Sequence, residues 1–148
     1  MLDFLYPPLE WRDWRDDWPL ARCSQFANSA GLRWHYQKLG QGPVLLLLHG
    51  TPKTHFYWHK LIPLLTPHFT VVAPDLRGFG DTDKPPAEEG YDSLTNAKDV
   101  AALMTHLGHD SFHLHGEDRG AEFAYALAAT EPLMREYLTR DPREGDAS

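Results

Sequence analysis

The chain has 148 residues, of which 42% are hydrophobic and 12% aromatic, so its size and composition are those of one globular domain. Its formal net charge of −7 disfavours a nucleic-acid partner, because phosphate binding requires a cationic surface. The longest apolar run, Val44–Leu48, is too short to span a membrane, and a lone Cys23 cannot form an internal disulfide. These features predict a soluble cytoplasmic protein.

The first half of the chain predicts an arm, a hairpin and two buried strands. Residues 1–22 are expected to form an N-terminal arm. Two short strands are predicted around a turn at Ala30 and Gly31. The runs "VLLLLHG" and "FTVVAPD" are typical of strands buried on both faces of a sheet. Between these runs, helical spacing extends from Thr54 to Leu65, although Pro63 interrupts it.

The second half of the chain predicts two helices around one more strand. The helices are expected from Leu94 to Leu107 and from Arg119 to Thr130, and the strand lies in "SFHLHG". Because helices separate the buried strands, the pattern indicates an α/β fold whose sheet is mostly parallel after an antiparallel N-terminal hairpin. This core is predicted to occupy residues 23–132, followed by a polar tail over residues 133–148.

Two loops at the carboxyl ends of predicted strands contain the residues best suited to chemistry. The first is "HGTP", His49 to Pro52, and the second is "GEDRG", Gly116 to Gly120. In the second loop Asp118 lies at the nucleophile position of a small-x-acid-x-small elbow, whose glycines permit a sharp turn from strand to helix. Taken alone, this loop fits a helix-capping Asp118 equally well.

Three segments together resemble the α/β-hydrolase superfamily, in the branch of epoxide hydrolases and haloacetate dehalogenases. They are "LLLLHGTPKTHFYWHKLIPLL", "VVAPDLRGFGDTDKP" and "LGHDSFHLHGEDRGAEFAYALA". The resemblance implies the α/β-hydrolase fold, with Asp118 as the nucleophile. It also implies that the backbone N–H groups of Thr51 and Arg119 form an oxyanion or halide hole. The HGxP turn would include His49 and Gly50 in structural roles and a cis peptide bond before Pro52.

The type of nucleophile narrows the reaction that the resemblance implies. A carboxylate that attacks an sp³ carbon forms an alkyl ester that water can cleave, so small epoxides and organohalides are favoured as substrates. Haloacetate dehalogenases of the family carry one arginine after the nucleophile and another three positions later. Arg119 matches the first, whereas Glu122 replaces the second, so an epoxide hydrolase ranks above a haloacetate or haloalkane dehalogenase. Epoxide hydrolases, however, usually carry tryptophan where Arg119 stands. Glu117, next to Asp118, can raise the nucleophile's pKa.

The sequence after Pro132 does not resemble the rest of the family. Relatives continue with further strands, a cap, an acid and a general-base histidine. The chain therefore resembles the N-terminal half of a hydrolase, truncated after the elbow helix. An inactive or severely impaired enzyme, or a non-catalytic binding fragment, is accordingly the alternative to an active epoxide hydrolase.

The remaining patterns predict no cofactor and no metal. His55 and His59 lie four apart on a predicted helix, and His113 and His115 alternate on a strand, but no cysteine or carboxylate completes a recognisable ligand set. The strand that ends near His115 has an apolar edge without a predicted neighbour, which favours self-association.

Overall fold

The computed structural model describes residues 23–130. The predicted arm of residues 1–22 and the predicted tail of residues 133–148 lie outside the described residues. Within residues 23–130 the elements are, in chain order, β1 (Ser24–Ser29), β2 (Leu32–Gly40), β3 (Val44–Leu48), α1 (Ile62–Leu65), β4 (Thr70–Pro74), α2 (Ser93–His106), β5 (His113–Gly116) and α3 (Arg119–Thr130). A 3₁₀ turn, His55–Trp58, precedes α1.

The five described strands form one sheet in the order β1-β2-β4-β3-β5. Strand β3 pairs in parallel with β4 and with β5, whereas β1 and β2 form an antiparallel hairpin that joins β4. The predicted turn at Ala30 and Gly31 closes that hairpin with φ angles of 52° and 74°. The predicted α/β-hydrolase sheet, with its antiparallel N-terminal strands, is confirmed.

The core lies on both faces of this sheet, as the continuous apolar run of β3 predicts. Leu46 and Leu48 face α2 and α3, and Leu47 faces the opposite side with α1. All three leucines have at most 1% of their surface exposed. Burial on both faces fixes the register of β3 and so fixes where its C-terminal loop begins.

The predicted helix from Thr54 to Leu65 is the element that the structure corrects. The backbone forms hydrogen bonds between residues three apart here, from Tyr57 N to Thr54 O and from Leu61 N to Trp58 O. This stretch is therefore a 3₁₀ turn followed by a second hydrogen-bonded turn. The α-helical turn begins only at Ile62, and Pro63 lies in its first turn. An N–H in the first turn has no partner within the helix, so Pro63 is compatible with the start of α1 and does not interrupt it.

Candidate active site

The two predicted site loops begin side by side because β3 and β5 are parallel neighbours. Leu48 and Gly116 are partners in the ladder, and the N–H of Glu117 donates to the carbonyl of Leu48 at 3.1 Å. The carboxyl ends of both strands therefore open at one edge of the sheet, where α/β folds place their binding sites. This register brings the HGTP and GEDRG loops together.

The GEDRG loop turns from β5 into α3 through a left-handed backbone at Asp118. The φ of Asp118 is 55°, a conformation that L-residues adopt at a cost of roughly 1–2 kcal/mol. The flanking glycines have another role. A Cβ at Gly116 would lie 2.3 Å from the carbonyl oxygen of Gly120, and one at Gly120 would lie 2.1 Å from that of Leu48. The glycines allow close backbone packing, while the strained position belongs to Asp118 itself.

The carboxylate of Asp118 lies against the HGTP loop, as the sequence predicts. The backbone N–H of Thr51 donates to Oδ2 of Asp118 at 2.9 Å, and the Thr51–Pro52 peptide bond is cis. Hydrogen bonds from the backbone of Thr51, and then from that of Arg119, lower the pKa of Asp118. The two N–H groups expected to form a hole thus both reach the Asp118 carboxylate, which is ionised at neutral pH.

Glu117 repels the charge of Asp118 but does not raise its pKa above the usual value, as the sequence suggests it can, because hydrogen bonds from the backbone of Thr51 and Arg119 outweigh the repulsion. Its Oε1 lies 3.1 Å from the ammonium nitrogen of Lys53, and hydrogen bonds from Tyr57 and then Lys53 lower the pKa of Glu117. The Lys53 ammonium also lies 3.7 Å from the centroid of the Tyr57 ring. The charge of Glu117 is therefore compensated by residues that follow the HGTP turn.

A second ion pair lies on the other side of the nucleophile. Nη1 of Arg119 lies 2.6 Å from Oε2 of Glu122, and Nη2 donates to the carbonyl of Tyr91 at 3.1 Å. The hydroxyl of Ser93 donates to the other carboxylate oxygen of Glu122, and this bond lowers the pKa of Glu122. The guanidinium of Arg119 thus has its charge balanced within the protein.

His49 has the structural role that the resemblance implies. Its ring is fully buried, Nδ1 donates to the carbonyl of Gly50 at 2.9 Å, and Nε2 accepts from the N–H of Leu76 at 2.9 Å. Both bonds fit one neutral tautomer, and burial lowers the pKa of His49. The ring joins the HGTP loop to the end of β4.

A buried group that sequence reasoning missed consists of His35, His55 and Asp75. Oδ2 of Asp75 lies 2.8 Å from Nδ1 of His35, and Oδ1 lies 2.7 Å from Nδ1 of His55. The N–H groups of His55 and Asp81 donate to the same carboxylate. Burial favours a higher pKa for Asp75, but these hydrogen bonds outweigh it and lower the pKa far below its usual range.

The structure places His55 beside Asp75 and His35, and not in a ligand pair with His59. His35, His55 and Asp75 are close enough to share an ion, with ligand atoms within 4.8 Å of one another. Asp75, however, already accepts four hydrogen bonds, and these are directed to both of its oxygens. The arrangement is that of a structural hydrogen-bond network that joins β2, the 3₁₀ turn and the loop after β4.

A small cavity lies beside the two hole residues. Its volume is about 140 Å³, close to the roughly 150 Å³ of an apolar cavity that accommodates benzene. The lining is mostly apolar and includes Thr51, Arg119, Leu76, Phe79, Tyr91 and Phe123.

No helix within residues 23–130 has the length and apolar character needed to cross a bilayer.

Comparison with known proteins gives the class of this fold and site. Residues 43–135 match the model of the alpha/beta hydrolase fold family, so the chain belongs to that family. It is 46% identical over 98 residues to a soluble epoxide hydrolase of Corynebacterium sp. (strain C12), covering 66% of this chain and 34% of that protein. It is 43% identical over 96 residues to a fluoroacetate dehalogenase of Burkholderia sp, and the match covers 63% of this chain and 32% of that protein.

A solved epoxide hydrolase structure is also similar to this chain. The epoxide hydrolase VrEH1 from Vigna radiata superposes with a TM-score of 0.70 at 34% identity, covering 74% of this chain and 36% of that one. The chain thus spans about a third of the length of these relatives. By name, these relatives are two epoxide hydrolases and a fluoroacetate dehalogenase. Residues 43–135, which match the family model, contain both site loops.

Proposed function

We propose that this chain provides the nucleophile and the hole of a hydrolase that acts on small epoxides. The observation that carries the proposal is the meeting of the Asp118 carboxylate with the N–H of Thr51, on a strained turn at the carboxyl edge of the sheet. Because Thr51 holds Oδ2, the other oxygen of Asp118 is left to attack. A new bond forms from Oδ1 to an epoxide carbon, the ring C–O bond breaks, and the ring oxygen leaves as an alkoxide that takes a proton from the solvent.

The hole acts in the second half of the proposed reaction. When water attacks the carbonyl carbon of the alkyl ester, negative charge develops on Oδ2 of Asp118, the oxygen that accepts from the N–H of Thr51. Two backbone N–H groups already directed at this carboxylate need no rearrangement to stabilise that charge. The acid and the alcohol then separate, with Asp118 regenerated and a diol released.

The charge balance at α3 supports an epoxide over a haloacid. A haloacetate requires a free cation for its carboxylate, whereas Glu122 already holds the guanidinium of Arg119 at 2.6 Å. An epoxide is neutral and needs no free cation in the site. The mostly apolar cavity beside Thr51 fits a hydrocarbon substituent about the size of a phenyl ring. A dehalogenase remains the second candidate, because Arg119 follows the nucleophile and a fluoroacetate dehalogenase is among the relatives.

Ester hydrolysis is expected to be the slow half for the 148-residue chain. His35, His49 and His55 are held by other partners. Within residues 23–130, the polar groups that reach the Asp118 carboxylate are backbone N–H groups, which cannot serve as a base. A positioned general base contributes about 10²–10⁴-fold to such a step. We therefore propose that the chain forms the alkyl ester and turns it over very slowly.

Intact-protein mass spectrometry after incubation with styrene oxide tests this function. The expected result is one adduct per chain, located at Asp118 by peptide mapping and absent from Asp118→Asn. Asp110→Asn is the matched control, because Asp110 is an exposed aspartate shortly before β5. Labelling that survives in Asp118→Asn would contradict the nucleophile. Repeated turnover by the wild-type chain would contradict the slow second half, and no labelling by epoxide or chloroacetate would favour a non-catalytic binding role.

A further inference from the structure

Lys53 and Glu117 form a second connection between the two site loops, beside the hydrogen bond from Thr51 to Asp118. Their charged atoms lie 3.1 Å apart, and the two side chains are 32% and 41% exposed. Tyr57 contacts both partners: its ring lies under the Lys53 ammonium, and its side chain hydrogen-bonds to Glu117. The residue directly before the nucleophile is therefore held by two side chains from the segment that follows the HGTP loop.

Building on the proposed function, we propose that Lys53 is a positioning residue for the nucleophile. Its ammonium cancels the charge of Glu117 beside Asp118 and ties the GEDRG loop to the HGTP loop. The physical reason is the repulsion between neighbouring carboxylates, which favours protonation of one of them. A protonated Asp118 cannot attack a carbon, so balancing the charge next to it keeps the nucleophile ionised down to a lower pH.

The charged groups that act on Asp118 form two ion pairs, Lys53 with Glu117 and Arg119 with Glu122. Lys53 lies on the HGTP side, and its positive charge acts on Asp118 together with that of Arg119. Glu117 and Glu122 are the acidic neighbours that interact with Asp118. Glu122 holds Arg119 and Glu117 holds Lys53, so removing one member of a pair leaves its partner's charge acting on the nucleophile.

The proposal is tested by following the carboxyl carbon of Asp118 through a pH titration by ¹³C NMR. We expect Lys53→Met to raise the titration midpoint of Asp118, because Glu117 is then unbalanced. Glu117→Gln alone should lower the midpoint, and the double variant should return it to the wild-type value. Lys60→Met is the matched control, since Lys60 is an exposed lysine that leaves the ion pair intact. The shift in Lys53→Met should shrink in 1 M salt, which screens exposed charges.

The rate of styrene oxide labelling gives a second readout that a loosened loop would not reproduce. Lys53→Met should label more slowly at acidic pH and at the wild-type rate where Asp118 is fully ionised. An equal loss at every pH, an unchanged NMR midpoint in Lys53→Met, or a double variant whose midpoint stays as high as that of Lys53→Met would each overturn the proposal. If no protein is labelled at Asp118, the proposed function fails, while the NMR titration still decides the role of Lys53.

Discussion

The backbone N–H of Thr51 lies 2.9 Å from Oδ2 of Asp118, although 67 residues separate the two along the chain. The contact exists because Leu48 and Gly116 are paired in adjacent parallel strands, so both loops leave the sheet at the same place. The short distance fixes the orientation of the carboxylate before any substrate arrives, and such preorganisation is a large part of enzymatic rate enhancement.

Gly50→Ala should slow the labelling of Asp118 by epoxides. A Cβ at Gly50 would lie 2.7 Å from the Cβ of Asp118 and 2.8 Å from its Oδ2, so the nucleophile has to move. Displacement of a reacting group by 1 Å costs about 10²-fold in rate. Gly31→Ala is the control for a strained substitution far from the site: its φ of 74° disfavours alanine, but no atom lies within 4 Å of the added Cβ. Labelling by Gly50→Ala at the wild-type rate, measured by intact mass over time, would contradict the packing argument.

Ala30→Gly should stabilise the protein by about 1 kcal/mol. Ala30 has a φ of 52° in the hairpin turn, where an L-residue is strained and glycine is not. The gain would appear as a higher midpoint in urea unfolding. Ala27→Gly, inside β1, is the matched control and should destabilise by roughly 0.5–1 kcal/mol. A lower midpoint for Ala30→Gly would show that the strain assigned to this turn is absent.

Stability should fall in acid partly through Asp75. Hydrogen bonds from His35 and His55 hold the pKa of Asp75 below that of an unfolded aspartate, about 3.9. A lowered pKa stabilises the fold above the unfolded value, and this contribution is lost as the pH falls below it. Asp75→Asn should flatten the pH dependence below pH 4 and lower stability at pH 7 by about 3 kcal/mol, since the amide NH2 that replaces one carboxylate oxygen faces hydrogen-bond donors at a buried site. Urea unfolding from pH 2 to 7 measures both effects, and an unchanged acid profile in Asp75→Asn would refute this role.

The site loops were predictable because their signals are local in sequence. The glycines around Asp118, the HGTP turn and the boundaries of α3 each follow from residues close together in the chain. The hydrogen-bonded group of His35, His55 and Asp75 was not predictable in this way. Its members come from β2, the 3₁₀ turn and the end of β4, and β2 meets β4 only because the hairpin joins the sheet at that strand.

The charge pairs were missed for a related reason. Glu117 and Glu122 were weighed as charges against their sequence neighbours, which suggested a raised pKa for Asp118 and repulsion of an anionic substrate. Which cation balances each carboxylate depends on side-chain directions that spacing along a turn does not fix. Lys53 lies only two residues after Thr51 in the sequence. Its contact with Glu117 was not predictable because it depends on the same strand register that brings Thr51 to Asp118.

The outer edge of β5 is predicted to mediate self-association. Strand β5 is the last in the described sheet and pairs only with β3 there. We expect concentration-dependent self-association in sedimentation velocity, reduced by His113→Lys because a charge at an edge disfavours strand addition. His68→Lys, at another exposed histidine, controls for the added charge. A wild-type monomer at every concentration would exclude this edge as an interface.

Glu122→Arg should move the preference of the site from epoxides towards haloacetates. In the wild-type chain the Glu122 carboxylate accepts a hydrogen bond from the guanidinium of Arg119, and its negative charge repels an anionic substrate. The substitution frees Arg119 and adds a second cation one helical turn away, on the same face of α3. The ratio of Asp118 labelling by chloroacetate to labelling by styrene oxide should rise about tenfold or more at low salt, and less at 1 M salt. Glu122→Gln removes the repulsion without adding a cation, so its ratio should lie between those of the wild type and Glu122→Arg. Equal ratios in all three proteins would show that the pair between Arg119 and Glu122 does not select the substrate.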